Sequence, residues 1–123
     1  MKLIAEGHHV LEFLSNKESL ISGELKRVSI YHQDNQLNID LNIKLLYSKK
    51  YEEILIQLVD VFEYSLNYNS SNTFYFIEEY KFFIDDVCTY ISLDPINGSN
   101  NIDIDDNDFI KAKSVILYSN EDK

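Results

Sequence analysis

A chain of 123 residues, 45% hydrophobic and 26% charged, with 3 Gly and 1 Pro, is neither low-complexity nor collagen-like, and its length suits one globular domain spanning 1–123. At this size folding buries roughly two thirds of the surface that the unfolded chain exposes, enough for a core that needs no disulfide and no structural metal. Lys and Arg number 11 against 21 Asp and Glu; a net charge of −10 excludes a nucleic-acid binder of the usual kind, which needs a basic footprint on the phosphate backbone.

Residues 1–5 are followed by Glu6, Gly7, His8 and His9, so no apolar stretch of signal-peptide length develops. Cys88 has no second cysteine to pair with, which fits a reducing compartment, and the cytoplasm is the expected location. The most apolar window, 54–62, is interrupted by Gln57 and Asp60 and falls far short of the ~18 residues of a membrane-spanning helix, so no membrane partner is expected.

In chain order, Leu3, Ile4, Val10, Leu11, Phe13 and Leu14 cluster at helical spacing and predict a short helix over 2–14, with Gly7 a local cost of about 1 kcal/mol. After a polar break at 15–19 the period changes to two. Val28, Ile30 and His32 share one face, and Asp34-Asn35 supplies turn chemistry. Leu37, Ile39, Leu41, Ile43 and Leu45 then alternate with Asn38, Asp40, Asn42 and Lys44, which predicts a strand paired as a hairpin with its predecessor. Residues 51–61 form a central strand with Ile54, Ile56 and Leu58 on one face and Leu55, Val59 and Val61 on the other, extended past a bend by 62–68.

Asn69, Ser70, Ser71 and Asn72 read as a loop, and the aromatic run 73–83 reads as a strand. A turn at Asp85-Asp86 leads to a strand over 87–93, closed by Pro95 and Gly98; 97–108 is an acidic, amide-rich loop. The strand 109–118 carries Ile110, Ala112, Val115 and Leu117, and 119–123 is a polar tail expected to fray. The expected fold is α+β: a mainly antiparallel sheet of about six strands with one short N-terminal helix.

Catalytic chemistry finds no constellation. His8 and His9 are adjacent and point about 100° apart on a helix, so they read as surface histidines. His32, on the apolar face of its strand, reads as a hydrogen-bonded, partly buried imidazole, and Cys88 as a small core residue without a cationic neighbour to activate it. Glu78 and Glu79, adjacent on a strand, point to opposite faces and cannot serve as paired acid and base. Gly7, Gly23 and Gly98 lie too far apart for a phosphate loop. An enzyme is therefore not expected, and no cofactor is implied.

The segment 97–106 resembles a dockerin-type calcium loop, with oxygen-bearing residues around Gly98, but Pro95 stands where the first ligand belongs, and such domains carry the motif twice. An EF-hand counted from Asp103 lacks a Glu at the twelfth position. Residues 94–108 therefore carry calcium binding only as an alternative. A strand-rich structural or ligand-binding module whose charge merely aids solubility is the other class. The 9 Tyr and 7 Phe point mostly to core packing. Among the tyrosines, several of Tyr31, Tyr47, Tyr51, Tyr64, Tyr68 and Tyr75 should lie opposite the aliphatic stripe, where Tyr suits a recognition surface.

The hairpin of 25–47, Val59-Asp60-Val61-Phe62, Tyr90-Ile91-Ser92-Leu93-Asp94-Pro95 and the closing 106–113 together give a pattern that resembles small bacterial immunity proteins of polymorphic toxin systems. The resemblance implies tight binding to a cognate toxin, with no chemistry and no cofactor, through an acidic surface. On charge, the partner is a basic protein, and the expected contacts are Asp103, Asp105, Asp106 and Asp108, then Asp85 and Asp86.

Overall fold

The computed structural model describes residues 1–15, 19–48, 50–67 and 75–119. Its elements are β1 (Lys2–Glu6), α1 (His8–Ser15), β2 (Glu24–Gln33), β3 (Gln36–Lys44), β4 (Glu53–Ser65), β5 (Lys81–Ile84), β6 (Thr89–Asp94) and β7 (Asn107–Ser119). The described strands form one antiparallel sheet of seven, in the order β2-β3-β4-β7-β6-β5, with β1 added to β7. This is the expected α+β architecture, with one strand more.

The additional strand comes from the N-terminus. Residues 2–14 do not form a continuous helix: Gly7 adopts φ +57° and divides them into β1 and α1. A left-handed turn suits glycine, which has no Cβ to clash. The Gly7 amide donates to the Val115 carbonyl at 3.0 Å, and the Val10 amide donates back to the Gly7 carbonyl at 3.0 Å, starting the helix. One edge of β7 is occupied by β4 for nearly its whole length. The other is shared end to end, β6 pairing with Asn107 to Ala112 and β1 with Ile116 to Ser119. The apolar run 3–5 is short enough to serve helix or strand, and the vacant half-edge of β7 decides for strand.

The β2–β3 hairpin closes through Asp34 (φ 54°) and Asn35 (φ 64°), the left-handed pair of a two-residue turn whose twist matches that of its strands. Register runs from Gln33↔Gln36 to Glu24↔Lys44, with a bulge between Leu25 and Arg27.

A second irregularity corrects the expected facing of Val61. Asp60 takes φ 59°, and its amide donates to Asn38 Oδ1 at 3.1 Å. Past it the inward set shifts by one position: Ile54, Ile56 and Leu58 are succeeded by Val61, which joins the same core, while β7 shifts in step from Ile110 and Ala112 to Val115 and Leu117. Strict alternation puts Val61 on the opposite face; one left-handed residue reverses that.

The principal core lies on one side of the sheet. Ile39, Leu41 and Ile43 of β3 meet Ile54, Ile56 and Leu58 of β4 in direct register, and Val10 and Leu14 of α1 close over Phe82, Ile91 and Leu117. A smaller cluster on the opposite side packs Phe83, Cys88 and Tyr90 with Phe109. The expected strand over 73–83 is reduced to β5. Residues 75–80 are not strand, apart from one bridge between Phe76 and Glu24, and Ile77 is fully buried with its amide donating to the Gly23 carbonyl at 2.9 Å. Residues 73 and 74, and the loop expected at 69–72, lie outside the described residues.

Candidate interaction surface

The segment 95–106 connects β6 to β7 and folds back over the outer side of β5 and β6. Its ends are tied where Asp94 pairs with Asn107, and the Ser92 hydroxyl donates to the Asn107 carbonyl at 2.6 Å. Its centre is held by Asp106. Lys81 Nζ donates to Asp106 Oδ2 at 2.9 Å and Oδ1 at 3.1 Å, with side chains 2% and 0% exposed. The Tyr90 hydroxyl (2.8 Å) and the Asp103 amide (3.2 Å) also donate to Oδ2, and the Ile96 amide to Oδ1 (3.0 Å). Lys81 Nζ further donates to the Asn101 carbonyl at 2.8 Å.

One buried carboxylate thus gathers both ends of the loop onto the sheet. Burial alone pushes the Asp106 carboxyl up, but the Lys81 ammonium, the two amides and the Tyr90 hydroxyl outweigh it and hold the group below the usual carboxylate range. Tyr90 moves the other way: burial first, then the hydrogen bond and charge of Asp106, raise its phenol well above the ordinary value.

Among the expected contact residues, Asp106 and Asp108 must be corrected. Asp106 is 4% exposed and spent on the loop's own anchoring, and Asp108 is 1% exposed. Asp108 takes φ 50° at the start of β7, and its Oδ1 accepts from the Asn67 amide at 2.8 Å. Charge counting treated each Asp as exposed, whereas these two satisfy backbone and lysine donors inside. Asp103 and Asp105 do reach the surface, the Asp105 amide donating to Asp103 Oδ1 at 2.9 Å.

Asp85 and Asp86 sit at the tip of the β5–β6 hairpin, at the opposite end of β6 from the loop, about 20 Å away along six residues. Asp85 accepts from the Val87 and Cys88 amides at 2.7 and 2.8 Å, which lowers its pKa. The structure therefore brings Asp103 and Asp105 together but leaves Asp85 and Asp86 apart from them.

Beside Asp103 and Asp105 the loop exposes aliphatic side chains: Ile104 is 96% exposed, Ile96 57% and Ile102 44%. Composition did not single them out. Nor did it single out Lys81, whose signal was legible: a lone charge within Tyr80-Lys81-Phe82-Phe83 must be buried and therefore paired.

The other candidates resolve simply. His8 and His9 are exposed, His9 facing Glu12 at 3.3 Å. His32 is exposed rather than partly buried, because β2 is an edge strand. Cys88 is buried, and burial followed by the charge of Asp85 raises its thiol, keeping it protonated and unreactive. Tyr51 is buried against Phe13, ring centroids 5.6 Å apart; Tyr31 donates to Asp40 at 3.0 Å and accepts from Gln57 at 2.8 Å; Tyr47 and Tyr64 are exposed; Tyr68 lies outside the described residues.

In the loop once compared with a calcium site, Asn97 Oδ1 accepts from the Ser99 amide and hydroxyl, and Asp106 faces Lys81. Among the described residues no group of three or more His, Cys, Asp or Glu is placed to hold a metal ion. None of the described helices is long and apolar enough to cross a membrane. A groove of about 290 Å³ between α1 and β5 is lined by Leu11, Leu14, Tyr80 and Phe82 and brings no acid or base to bear on a ligand.

Comparison with known proteins finds no matching family model, curated protein or solved structure.

Proposed function

We propose that the protein is a non-enzymatic interaction protein that binds and neutralises a basic toxin domain, in the manner of an immunity protein, through the loop 95–106. The observation that carries this reading is an anchored loop presenting Ile102 and Ile104 beside Asp103 and Asp105 on a domain of net charge −10. Apolar side chains held outward on a rigid support lose little entropy on contact and serve as anchors, while surrounding carboxylates steer a cationic partner. Lys81, Asp106 and Tyr90 supply the rigidity and touch no partner.

The test uses the toxin-like domain encoded beside this gene, with binding kinetics measured at low and high salt. Asp103→Asn with Asp105→Asn should slow association and flatten its salt dependence. Ile104→Ser should speed dissociation about tenfold or more, the loss of one well-packed anchor. Absence of binding, or binding unmoved by all three substitutions, overturns the assignment.

A further inference from the structure

The sheet has two outer edges. One is β5, four residues long and flanked by α1 and by the Asn101 end of the loop. The other is β2, ten residues long. Among the described residues its only neighbour beyond β3 is the Tyr75–Phe76 stretch, which bridges Glu24 and accepts from the Leu25 amide at 2.7 Å, leaving Arg27 to Gln33 uncovered. In a two-residue hairpin the residues flanking the turn exchange hydrogen bonds, so Gln33, Tyr31 and Ser29 bond to β3. The amides and carbonyls of Val28, Ile30 and His32 therefore point outward. Natural edges are blunted by Pro, bulges, inward charges or shortness; this stretch has none of these, its bulge being confined to Leu25–Arg27.

We propose that a second copy of the chain occupies this edge, β2 pairing antiparallel with β2 across a two-fold axis at Ile30. Only registers that set outward groups against outward groups are allowed. The register centred on Ile30 pairs Ile30 with itself and Val28 with His32 of the other copy, giving about six backbone hydrogen bonds. It also brings Lys26 and Arg27 alongside Asp34 and Gln33 of the other copy, so opposite charges meet. Shifting the axis to residue 29 instead sets Glu24 against Asp34 and Lys26 against His32, which repel or waste the charges. Ile30, 44% exposed as a monomer, would be covered by its own counterpart. An isologous contact of this kind closes at two copies. Because β2 and the loop 95–106 lie toward opposite ends of the strand order, the dimer leaves both loops free.

The test is sedimentation equilibrium of the full chain from low micromolar to several hundred micromolar. A monomer–dimer equilibrium without larger species is expected, and Ile30→Lys, which sets like charges on the axis, should give monomer throughout with an unchanged circular dichroism spectrum. Paired residues at a hydrogen-bonded site lie about 5.5 Å apart, within disulfide range. Ile30→Cys should therefore cross-link into a covalent dimer under oxidation, and Tyr31→Cys, which faces Ser29 of the other copy, should not. A wild-type monomer at all concentrations, a dimer that survives Ile30→Lys, or cross-linking of Tyr31→Cys in place of Ile30→Cys overturns the proposal.

Discussion

Lys81→Met removes the ammonium that faces Asp106 and leaves a carboxylate in a site where its side chain is 0% exposed. Three other donors remain: the Tyr90 hydroxyl and the amides of Ile96 and Asp103. They share the charge without neutralising it. Breaking a buried pair in this way costs about 3–5 kcal/mol, a large part of the stability of a domain this size. Replacing both partners, as Lys81→Met with Asp106→Leu, removes the orphaned charge and should recover much of that loss, while Ile96 and Asp103 lose their anchor and the loop loosens.

Urea unfolding of wild type, both single variants and the double variant measures the coupling directly. The pH dependence gives a second reading of the same pair. Asp106 is held below its unfolded value near pKa 3.9, so its contribution is full above that value and is lost as pH falls through the lower folded value. Asp106→Asn should flatten the acid limb accordingly. A Lys81→Met loss under about 1 kcal/mol, or a double variant no better than the worse single one, would refute the reasoning.

Gly23→Ala should destabilise by about 1–3 kcal/mol in thermal or urea unfolding, since an added Cβ would lie 2.8 Å from the Leu20 carbonyl and 3.2 Å from that of Lys44, both backbone atoms. Tyr90 holds its phenol raised, so the stability it contributes is present below the unfolded pKa near 10 and lost as pH rises toward the folded value; Tyr90→Phe should flatten that alkaline loss. Calcium or a chelator should leave the melting temperature unchanged, because Asp106 faces Lys81 and the Asn97 oxygen is engaged by Ser99; a rise of several degrees with calcium would show that the loop rearranges to bind it.

Alternation and turn chemistry in the sequence were enough to determine the β2–β3 hairpin, the inward residues Ile39 to Ile43 and Ile54 to Leu58, and the Asp85-Asp86 turn, because these depend on neighbours along the chain and on one buried face. Net charge likewise follows from composition alone. Which carboxylates reach solvent does not. Asp103, Asp105, Asp106 and Asp108 are equivalent in a count of charges, and only the return of the loop over β5, 25 residues from Lys81 to Asp106, separates two exposed groups from two buried ones.

The same holds for residues 2–6, whose conformation is chosen by the free half-edge of β7 more than 100 residues away, and for Val61, turned inward by a left-handed Asp60 that Asn38 stabilises from another strand. Local propensity differences are at most about 1 kcal/mol, and long-range pairing, burial and buried charge each exceed them. Where those contacts arise between distant residues, the tertiary structure makes the choice.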